Sequence, residues 1–600
     1  MRLSRTVPAV AATILALAAA GLPAAEPQPP TLRLPTTARP TGYRVELTID
    51  PSAPSFRGSV DIAVHLDEKT DLLWLNGAAL KIEKASAKAG GAAVGVSASP
   101  RGEEFLAFTF DRAVGPGELA LHVEYSGTLD ETSTQGLFRQ KSGEDWYAFS
   151  QLESTDARRA FPCFDEPSYK TPWQLTLRIP KGTSAVSNTP VELEKSGPGG
   201  TRIVRFKKTP PLPAYLIALA VGPFESVDAG RAGRNRTPIR IVTPRGKAEQ
   251  AKYAAATSGP LLEALEAYFG MPYPFEKLDQ LAIPQTVSFG AMENAGLITW
   301  AESILLAPSA EETIKFRRLQ ASINAHEMAH QWFGDLVTLA WWDDVWLNES
   351  FATWMADRTI TEWKPEWNED VTRVVDRSNV MAEDSLVSAR KIRQEIETAD
   401  DIVNAFDPIS YQKGAAVLTM FEAWIGKERF RDGVRKYLAS HRYGNATSRD
   451  FLGALESASF PGVAAAFSSF LDQAGVPLIE VSLDCSSEKP RLTLAQKRFL
   501  PVGTKGSPEE TWRVPVCSRG AAGDGTASRA CGLLTERSGA LPAPTAACPA
   551  WLLANDGERG YYRALYEGDL LGKLLDAADR ELSISERVGL IRDVDALALV

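Results

Sequence analysis

The sequence predicts a multidomain α+β protein in which two all-β regions enclose a mixed α/β region, with helices beginning again near the end of the chain. Three observations support this prediction. The chain has 600 residues, which is too long for a single hydrophobic core. Apolar and polar residues alternate with period two in some stretches and recur at helical spacing in others. The composition, 44% apolar and 23% charged, is that of an ordinary globular protein.

Residues 1–25 have the pattern of a signal peptide. Two arginines precede an apolar, Ala-rich run over residues 7–22, and small residues at 23–25 offer a cleavage site. An uncleaved leader that stays as a membrane anchor is the alternative, although Pro8 and Gly21 interrupt the apolar run. No later stretch of sequence is long and apolar enough to span a bilayer. We therefore expect an exported protein, periplasmic or secreted, with no stable membrane insertion after cleavage.

The rest of the chain changes its periodicity several times. Short alternating runs such as 43–49 and 59–66, separated by Gly- and Pro-containing turns, predict an all-β region. Helical spacing takes over from about residue 225, and strand-like runs return at 476. Because the sequence stops at Val600 within an apolar helical run, we expect the last domain to be incomplete. The predicted divisions are a linker (26–40), an N-terminal β domain (41–224), an α/β catalytic domain (225–475), a β-sandwich domain (476–566) and the start of a helical domain (567–600).

Four of the five cysteines fall in the predicted β-sandwich: Cys485, Cys517, Cys531 and Cys548. An even set in an exported chain predicts two disulfides, whose pairing the sequence leaves open. A structural zinc ion held by four thiolates is the alternative, but no C-x-x-C spacing supports it. Cys163 is left over, and we expect it to be a buried free thiol.

An H-E-x-x-H motif runs from His326 to His330. Two histidines at i and i+4 project from one face of a helix, so both imidazoles can reach one metal ion. Glu327, beside the first histidine, is placed to take a proton from a metal-bound water. A third ligand is still required, and Glu349, with 18 residues between it and His330, is the candidate.

A structural helix with two satisfied histidines is the alternative interpretation of this motif. Apolar residues precede the motif at roughly helical spacing and predict a long, core-packed helix, which supplies the rigidity that a metal site needs. These residues are Phe316, Leu319, Ile323 and Ala325. We therefore predict a zinc site with one ion per chain.

Two further segments stand out, although neither identifies a function alone. Residues 151–167 interrupt the first β region with a charged, Pro-flanked stretch that predicts a structured loop, with a domain-contact loop as the plain alternative. Residues 287–300 have strand-like flanks, and two central glycines allow close backbone approach. Tyr411 precedes a Lys-Gly pair that opens a predicted helix.

Taken together, four motifs resemble those of the aminopeptidase-N-like zinc aminopeptidases. They are the H-E-x-x-H motif, the glutamate 18 residues on, Gly290-Ala291-Met292-Glu293-Asn294, and Tyr411-x-Lys413-Gly414. The resemblance runs from about Thr41 to the end of the chain. It implies a saddle-shaped N-terminal β domain, a thermolysin-like catalytic domain, a β-sandwich and a large helical C-terminal domain, of which this sequence holds the beginning.

The resemblance also implies roles for the matching residues. Glu153 and Glu293 would bind the α-amine of a peptide, the backbone at Gly290 and Ala291 would pair with it as an added strand, and Tyr411 would donate to the oxyanion. Ser350 stands where the family usually has glycine, which affects the shape of the pocket. The implied metal ligands are His326, His330 and Glu349, the catalytic residues are Glu327 and Tyr411, and the substrate-binding residues are Gln151, Glu153, Gly290, Ala291, Met292, Glu293 and Asn294.

The expected function is zinc-dependent hydrolysis of the N-terminal peptide bond, with release of single amino acids. Peptides with a free N-terminus are the expected partners, whereas the net charge of −10 argues against nucleic acid. Three alternatives stay open: a thermolysin-type endopeptidase, epoxide hydrolysis as a side activity, and a non-catalytic peptide-binding protein.

Overall fold

The structure, a computed structural model, describes residues 27–287, 289–486, 489–523 and 525–598. The predicted signal peptide lies outside these ranges. The multidomain α+β prediction is confirmed, since a β-rich N-terminal region is followed by a mixed region, a second β region and two helices. The division into separate domains at the stated residues stays a prediction.

Within the described residues, the N-terminal region has three sheets, with eight, four and three strands. Their orders are β13-β14-β11-β1-β2-β8-β4-β5, β12-β15-β10-β9 and β3-β7-β6. The strands are β1 (Ala38–Thr48), β2 (Ser55–Leu66), β3 (Thr70–Asn76), β4 (Lys81–Ala89), β5 (Ala92–Val94), β6 (Val96–Arg101), β7 (Phe105–Val114), β8 (Gly117–Thr128), β9 (Gly136–Ser142), β10 (Asp145–Gln151), β11 (Trp173–Pro180), β12 (Ser184–Ser187), β13 (Val191–Ser196), β14 (Thr201–Phe206) and β15 (Leu219–Gly222).

The predicted alternation is visible in the burial of β1. Tyr43, Val45 and Leu47 are buried, while the residues between them are exposed. One face of the strand therefore packs on the core and the other meets solvent. Strands β1 and β11 are parallel neighbours, and Tyr43 stacks on Trp173 with 3.7 Å between ring centroids. Residues 151–167 form an irregular segment with one short 3-10 turn (Ala157–Arg159), which confirms the predicted loop.

The mixed region begins with strands rather than helices. It contains β16 (Phe224–Ala232), β17 (Thr237–Pro244), α1 (Lys252–Phe269), β18 (Leu278–Ile283), β19 (Ala291–Met292), β20 (Leu297–Ala301), α2 (Glu302–Leu305), α3 (Ile314–His330), β21 (Thr338–Leu339), α4 (Trp346–Trp363), α5 (Glu369–Asp384), α6 (Ala399–Asn404), α7 (Gly414–Ile425), α8 (Lys427–Ser440), β22 (Asn445–Ala446), α9 (Ser448–Ala458) and α10 (Val463–Leu471). A π-helical turn, Ile409–Lys413, leads into α7.

The expectation that helical spacing starts near residue 225 is therefore wrong. Strands β16 and β17 come before α1, and β18, β19 and β20 follow it to complete a five-stranded sheet in the order β16-β17-β18-β20-β19. Strands β18 and β20 are buried along their whole length. Because strands buried on both faces lose the alternation of apolar and polar residues, the period-two signal is absent there.

The second β region has two facing sheets, β27-β24-β23-β29 and β26-β25-β28. Its disulfides are Cys517–Cys531, between opposed residues of neighbouring strands, and Cys485–Cys548. The prediction of two disulfides and a buried free Cys163 is confirmed. The elements are β23 (Pro477–Asp484), β24 (Arg491–Arg498), β25 (Val514–Ala521), β26 (Ala527–Leu534), β27 (Ser538–Pro542), β28 (Trp551–Leu553), β29 (Arg563–Tyr566), α11 (Leu570–Glu581) and α12 (Ile584–Leu597).

The regions pack closely on one another. One hydrophobic cluster runs from the five-stranded sheet through α3, α4 and α7 into the second β region, where Phe470 meets Trp512 at 6.5 Å between ring centroids. On the other side, Tyr215 of the N-terminal region packs on Trp342 at 5.3 Å. Among the described residues, none of the helices combines the length and apolar character that a membrane crossing requires.

Candidate metal centre and acidic recess

Helix α3 carries both histidines of the H-E-x-x-H motif, and its C-terminal half is the buried half. Thr313 caps its first turn by accepting from the Phe316 N–H. Leu319 is 48% exposed, so the predicted core packing is wrong for the first half of the helix. Polar contacts replace apolar ones further on: Gln280 Nε2 donates to Asn324 Oδ1 at 3.0 Å inside the core. The buried residues of this half include Gln320, Ala321, Asn324, Ala325 and Met328.

Helices α3 and α4 bring the three predicted metal ligands together. The Nε2 atoms of His326 and His330 are 3.0 Å apart, and each lies 3.4 Å from Oε2 of Glu349. Ligand atoms bonded at about 2.0–2.1 Å to a tetrahedral ion are about 3.3 Å from one another, so this set fits a single ion. The donor types, two imidazole nitrogens and a carboxylate oxygen, suit a divalent transition metal.

The second histidine is oriented by the backbone. Its Nδ1 lies 3.0 Å from the Phe333 carbonyl oxygen and donates to it. This hydrogen bond orients the ring so that Nε2 of His330 faces the other ligands, and in the neutral ring the lone pair of Nε2 is the one available to a metal ion. Burial by itself raises the pKa of Glu349, but the charge of His330 and the contacts with both imidazoles outweigh it and lower that pKa to about 2.

Glu327 and Tyr411 lie beside this set. Glu327 is buried, which raises its pKa well above the usual range; His330 opposes the rise, while Glu293 and Glu349 add to it. A carboxyl with a raised pKa is suited to proton transfer near neutral pH. The Tyr411 ring lies nearly parallel to the His326 ring, with 6.0 Å between centroids.

The π-helical turn that presents Tyr411 is held at both ends. At its start, Asp407 Oδ1 accepts from the N–H groups of Ile409 and Ser410. At its end, Lys413 Nζ lies 2.8 Å from Asp384 Oδ2, and both side chains are fully buried. The turn thus has a capped start and an ion-paired end.

A third contact joins this turn to the metal-ligand helix α4. Ser350, next to Glu349, donates through Oγ to the Ser410 carbonyl at 2.5 Å. The approach is so close that a Cβ at Gly414 would lie 1.8 Å from Ser350 Oγ. Glycine is therefore required at position 414, which gives the Lys-Gly pair of the sequence a physical reason.

Glu153 and Glu293 form a second group, which we call the acidic recess, and Gln151 lies two residues before Glu153. Gln151 ends β10, Glu153 follows it in the irregular segment, and Glu293 follows β19. Each has an Oε1 atom that is buried and finds no hydrogen-bond donor among the described residues. Glu293 Oε1 lies 3.9 Å from His330 Nδ1. The recess is thus adjacent to the metal-ligand set.

Burial raises the pKa of both recess glutamates. For Glu153 the rise is large, and the nearby Glu293 increases it. For Glu293 the charge of His330 acts in the opposite direction. Buried carboxylates are costly unless a cation pairs with them. The recess therefore has the electrostatics of a binding site for a positively charged group.

The short strand β19 lies at the edge of the five-stranded sheet. Ala291 pairs with Trp300 and Met292 with Thr299 in antiparallel register, and the Ala301 N–H donates to the Gly290 carbonyl at 2.8 Å. The strand therefore lies within the G-A-M-E-N motif itself; in the predicted strand-like flank before residue 290, Val287 and Phe289 lie outside the strands, and residue 288 is outside the described residues. An edge strand leaves backbone groups that an extended peptide can pair with.

Two motif residues support the strand and the turn after it. Met292 is 1% exposed and packs in the hydrophobic core, and Asn294 Nδ2 donates to Thr299 Oγ1 at 3.2 Å. Several supporting residues were not identified from the sequence; they are Gln331, Asp384 and, for its contact with the Tyr411 turn, Ser350. The side chains of these residues contact groups that are far away in the sequence, and the periodicity of apolar residues does not predict such contacts.

Comparisons with known proteins agree with this geometry. The Peptidase M1 N-terminal domain matches residues 39–216, and the Peptidase family M1 domain matches residues 253–472. Aminopeptidase M1-C of Oryza sativa subsp. japonica is 34% identical over 579 residues, covering 94% of this chain and 64% of that protein. Aminopeptidase 2 of Candida albicans is 33% identical over 574 residues, and Aminopeptidase A of Gloydius brevicauda is 32% identical over 589; each match covers 94% of this chain and 60% of the relative.

The chain therefore spans less than two thirds of the length of these curated relatives. Both family matches fall on the regions that supply the acidic recess and the metal ligands, and the similarity to the relatives extends over almost the whole chain. The chain belongs to peptidase family M1.

Proposed function

We propose that the protein is a zinc-dependent aminopeptidase that hydrolyses the N-terminal peptide bond and releases single amino acids. The observation that carries this proposal is the pair of buried carboxylates in the acidic recess beside the His-His-Glu set, each with an Oε1 atom that has no hydrogen-bond donor among the described residues. A peptide with a free α-amine supplies the cation that Glu153 and Glu293 lack. An internal peptide bond offers no such cation, and burying the two carboxylates without one is costly.

His326, His330 and Glu349 would hold one zinc ion per chain. The donor set is that of catalytic zinc sites with three protein ligands, which keep a fourth position for water or substrate. When bound, zinc lowers the pKa of its water and polarises the scissile carbonyl.

The protein's own residues supply the remaining steps. Glu153 and Glu293 bind the substrate ammonium, and the edge of β19 aligns the peptide backbone. Glu327 takes the proton from the attacking water and returns it to the leaving nitrogen. Tyr411 donates a hydrogen bond to the oxyanion of the tetrahedral intermediate.

The relatives support this assignment through their names, since the plant, yeast and snake proteins are all called aminopeptidases. Peptides with free N-termini are the proposed partners. An endopeptidase shares the metal ligands but has no use for a recess that binds an ammonium group, so the recess favours the exopeptidase.

We also propose that the protein is exported, to the periplasm or outside the cell. Two disulfides support this proposal, because disulfides persist mainly in oxidising compartments. The basic and apolar pattern of residues 1–25 supports it as well. Fractionation of cells that express the full sequence, with sequencing of the mature N-terminus, tests the proposal; a cytosolic protein that keeps Met1 would refute it.

The function is tested with p-nitroanilides of alanine, leucine and arginine, and with N-acetylated alanine p-nitroanilide as the blocked control. We expect turnover of the free-amine substrates, loss of turnover with a zinc chelator, and refusal of the acetylated substrate. Glu327→Gln should lower kcat by about 10²–10⁴ while zinc content stays at one per chain. Glu263→Gln, on the exposed face of α1, is the matched control and should leave kcat unchanged.

Two results would overturn the proposal. Equal cleavage of the acetylated substrate would show an enzyme that does not require a free α-amine, as expected of an endopeptidase. Intact free-amine substrates with zinc bound would show a peptide-binding protein, or a site that is completed only in a longer chain.

A further inference from the structure

Gln331 directly follows the second histidine of the metal-ligand set, yet its side chain contacts the acidic recess. It is fully buried at the C-terminal end of α3. Its Nε2 donates to the Glu293 carbonyl at 2.6 Å. Its Oε1 accepts from the Gly296 N–H at 3.1 Å, and the Tyr273 hydroxyl lies 2.8 Å from the same oxygen.

This pattern fixes the orientation and the identity of the side chain. A backbone carbonyl can only accept and a backbone N–H can only donate, so the amide oxygen and nitrogen of Gln331 are assigned without ambiguity. Glutamate would lack the donor for Glu293, and lysine would lack the acceptor for Gly296. Position 331 therefore requires a side-chain amide that bridges both ends of the turn 293–296.

The turn itself is a tight backbone reversal between β19 and β20. Gly296 has φ +72°, and a Cβ there would lie 2.4 Å from the Asn188 carbonyl oxygen. Lys277 Nζ donates to the Gly296 carbonyl at 2.7 Å, and Asn188 Nδ2 donates to the Ala295 carbonyl at 3.0 Å. These contacts hold the turn from the side of the sheet and of the N-terminal region.

The hydrogen bonds of Gln331 tie the backbone of the turn to the end of the metal-ligand helix. His330 and Gln331 are neighbours in sequence, and Glu293 Oε1 lies 3.9 Å from His330 Nδ1. The position of the Glu293 carboxylate relative to the metal ligands therefore depends on the Gln331 side chain, which joins the turn directly to the residue after His330. That separation decides how many atoms fit between the ammonium group and the carbonyl under attack.

We propose that Gln331 is a positioning residue that sets the spacing between the amine-binding carboxylate and the metal ligands. This inference rests on the proposed aminopeptidase function and deepens it. Gln331 does not touch the substrate; it acts through the backbone of Glu293. Its loss should weaken recognition of the substrate ammonium and leave metal binding in place.

The test compares two ligands that differ only in the amino group: leucine hydroxamate and 4-methylpentanoyl hydroxamate. Both present the same metal-binding group. The Kd of 4-methylpentanoyl hydroxamate divided by the Kd of leucine hydroxamate, called the ratio below, therefore reports amine recognition independently of turnover. The ratio is measured by calorimetry on the zinc-loaded chain, with zinc content determined on each sample. Gln331→Met removes all three hydrogen bonds at similar size, and we expect it to reduce the ratio about 10-fold.

Gln320→Met is the matched control. Gln320 lies on the same helix and is also fully buried, but its Oε1 faces Thr257 rather than the turn. We expect the ratio of Kd values for this variant to equal that of the unmodified chain. Zinc content and the affinity for 4-methylpentanoyl hydroxamate should be the same in all three proteins.

Tyr273→Phe is the second variant, in case Gln331→Met does not fold. It removes the hydroxyl next to Gln331 Oε1 and leaves the amide itself, so we expect about a 3-fold smaller ratio. If a folded Gln331→Met keeps the full ratio, or if it is unfolded and Tyr273→Phe keeps the full ratio, the inference is overturned. If the unmodified chain shows no preference for the amine, the proposed function fails instead, so the two failures are distinguishable.

Discussion

Glu349 and Glu293 are equally buried, each 3% exposed, yet their environments are opposite. Two imidazoles face Glu349 and lower its pKa to about 2. Glu293 and its neighbour Glu153 have raised pKa values, because burial and repulsion by other carboxylates, Glu349 for Glu293 and Glu293 for Glu153, outweigh the attraction of His330. The metal-ligand set therefore contains its own compensating groups, whereas the acidic recess needs a cation from outside.

The two sites also differ in where their residues come from. The metal ligands lie on two packed helices, α3 and α4, within one region of the chain. The recess combines Glu153 from the N-terminal β region with Glu293 from the edge of the five-stranded sheet. Under the proposed function, metal binding thus depends on local helix packing, whereas amine recognition depends on how two regions dock.

The largest expected effect comes from removing Glu349, the carboxylate that two imidazoles face. Mutation of a residue that hydrogen-bonds to a metal ligand typically lowers metal affinity about 10–100-fold. Glu349→Ala deletes one of the three protein ligands, so zinc affinity should fall by more than that. Turnover should be lost with the metal. Zinc content after dialysis against a weak chelator checks this, and a variant that keeps zinc at one per chain would contradict it.

Removing the two carboxylates of the acidic recess should affect turnover and thermal stability but not zinc binding. In the double variant Glu153→Gln/Glu293→Gln, kcat/KM for free-amine substrates should fall by about 10²–10³, the effect of breaking a buried ion pair. Zinc should stay bound. The ligand-free protein should unfold at a higher temperature, because two buried charges without partners have been removed.

Glu422→Gln sharpens this contrast. Glu422 is also buried but is paired with Arg358. Its loss should lower the unfolding temperature and leave kcat/KM unchanged, which is the reverse of the recess variant. Calorimetric scans and steady-state kinetics on both variants make the comparison; equal shifts of the unfolding temperature would contradict it.

Tyr411→Phe tests the residue that lies beside both sites. We expect kcat to fall by about 10²–10³, with KM and zinc content nearly unchanged, because the hydroxyl donates mainly in the transition state. Tyr437→Phe, at another buried tyrosine on α8, is the control. A rise in KM at constant kcat would instead place Tyr411 in substrate binding.

The smallest effect is expected at Ser350. Ser350→Ala removes its hydrogen bond to the Ser410 carbonyl, worth about 1 kcal/mol, and should lower kcat by about 5-fold through the position of Tyr411. Ser459→Ala removes a similar hydroxyl–carbonyl bond far from the site and should leave kcat unchanged. Equal kcat for the two variants would show that Ser350 has only a structural role.

The sequence predicted the metal-ligand set because its geometry is local. Residues four apart on a helix share a face whatever surrounds them, so the placement of His326 and His330 follows from their spacing. Glu349 needed only a second helix packed nearby. The alternating strands of the N-terminal region and the number of disulfides were predictable for a similar reason, since each leaves a pattern in adjacent residues.

Features that depend on tertiary packing were not predictable. The five-stranded sheet around α1 was missed; its strands β18 and β20 are buried on both faces and therefore carry no alternation. The first half of α3 was predicted to be core because apolar spacing does not show which face meets solvent. Gln331 acts on the backbone of Glu293, 38 positions earlier in the sequence, and no single-sequence pattern reports such a contact.

The buried ion pair of Lys413 and Asp384 connects the second β region to the turn that carries Tyr411. Tyr561, from that region, donates to Asp384 at 2.9 Å, so the end of the Tyr411 turn rests on a residue 150 positions later in the chain. A protein trimmed to end near residue 475 would keep every metal ligand and lose this support. If the proposed function is correct, undocking of the β-sandwich on heating should abolish turnover while the metal is still bound, so metal content alone would not report an intact site.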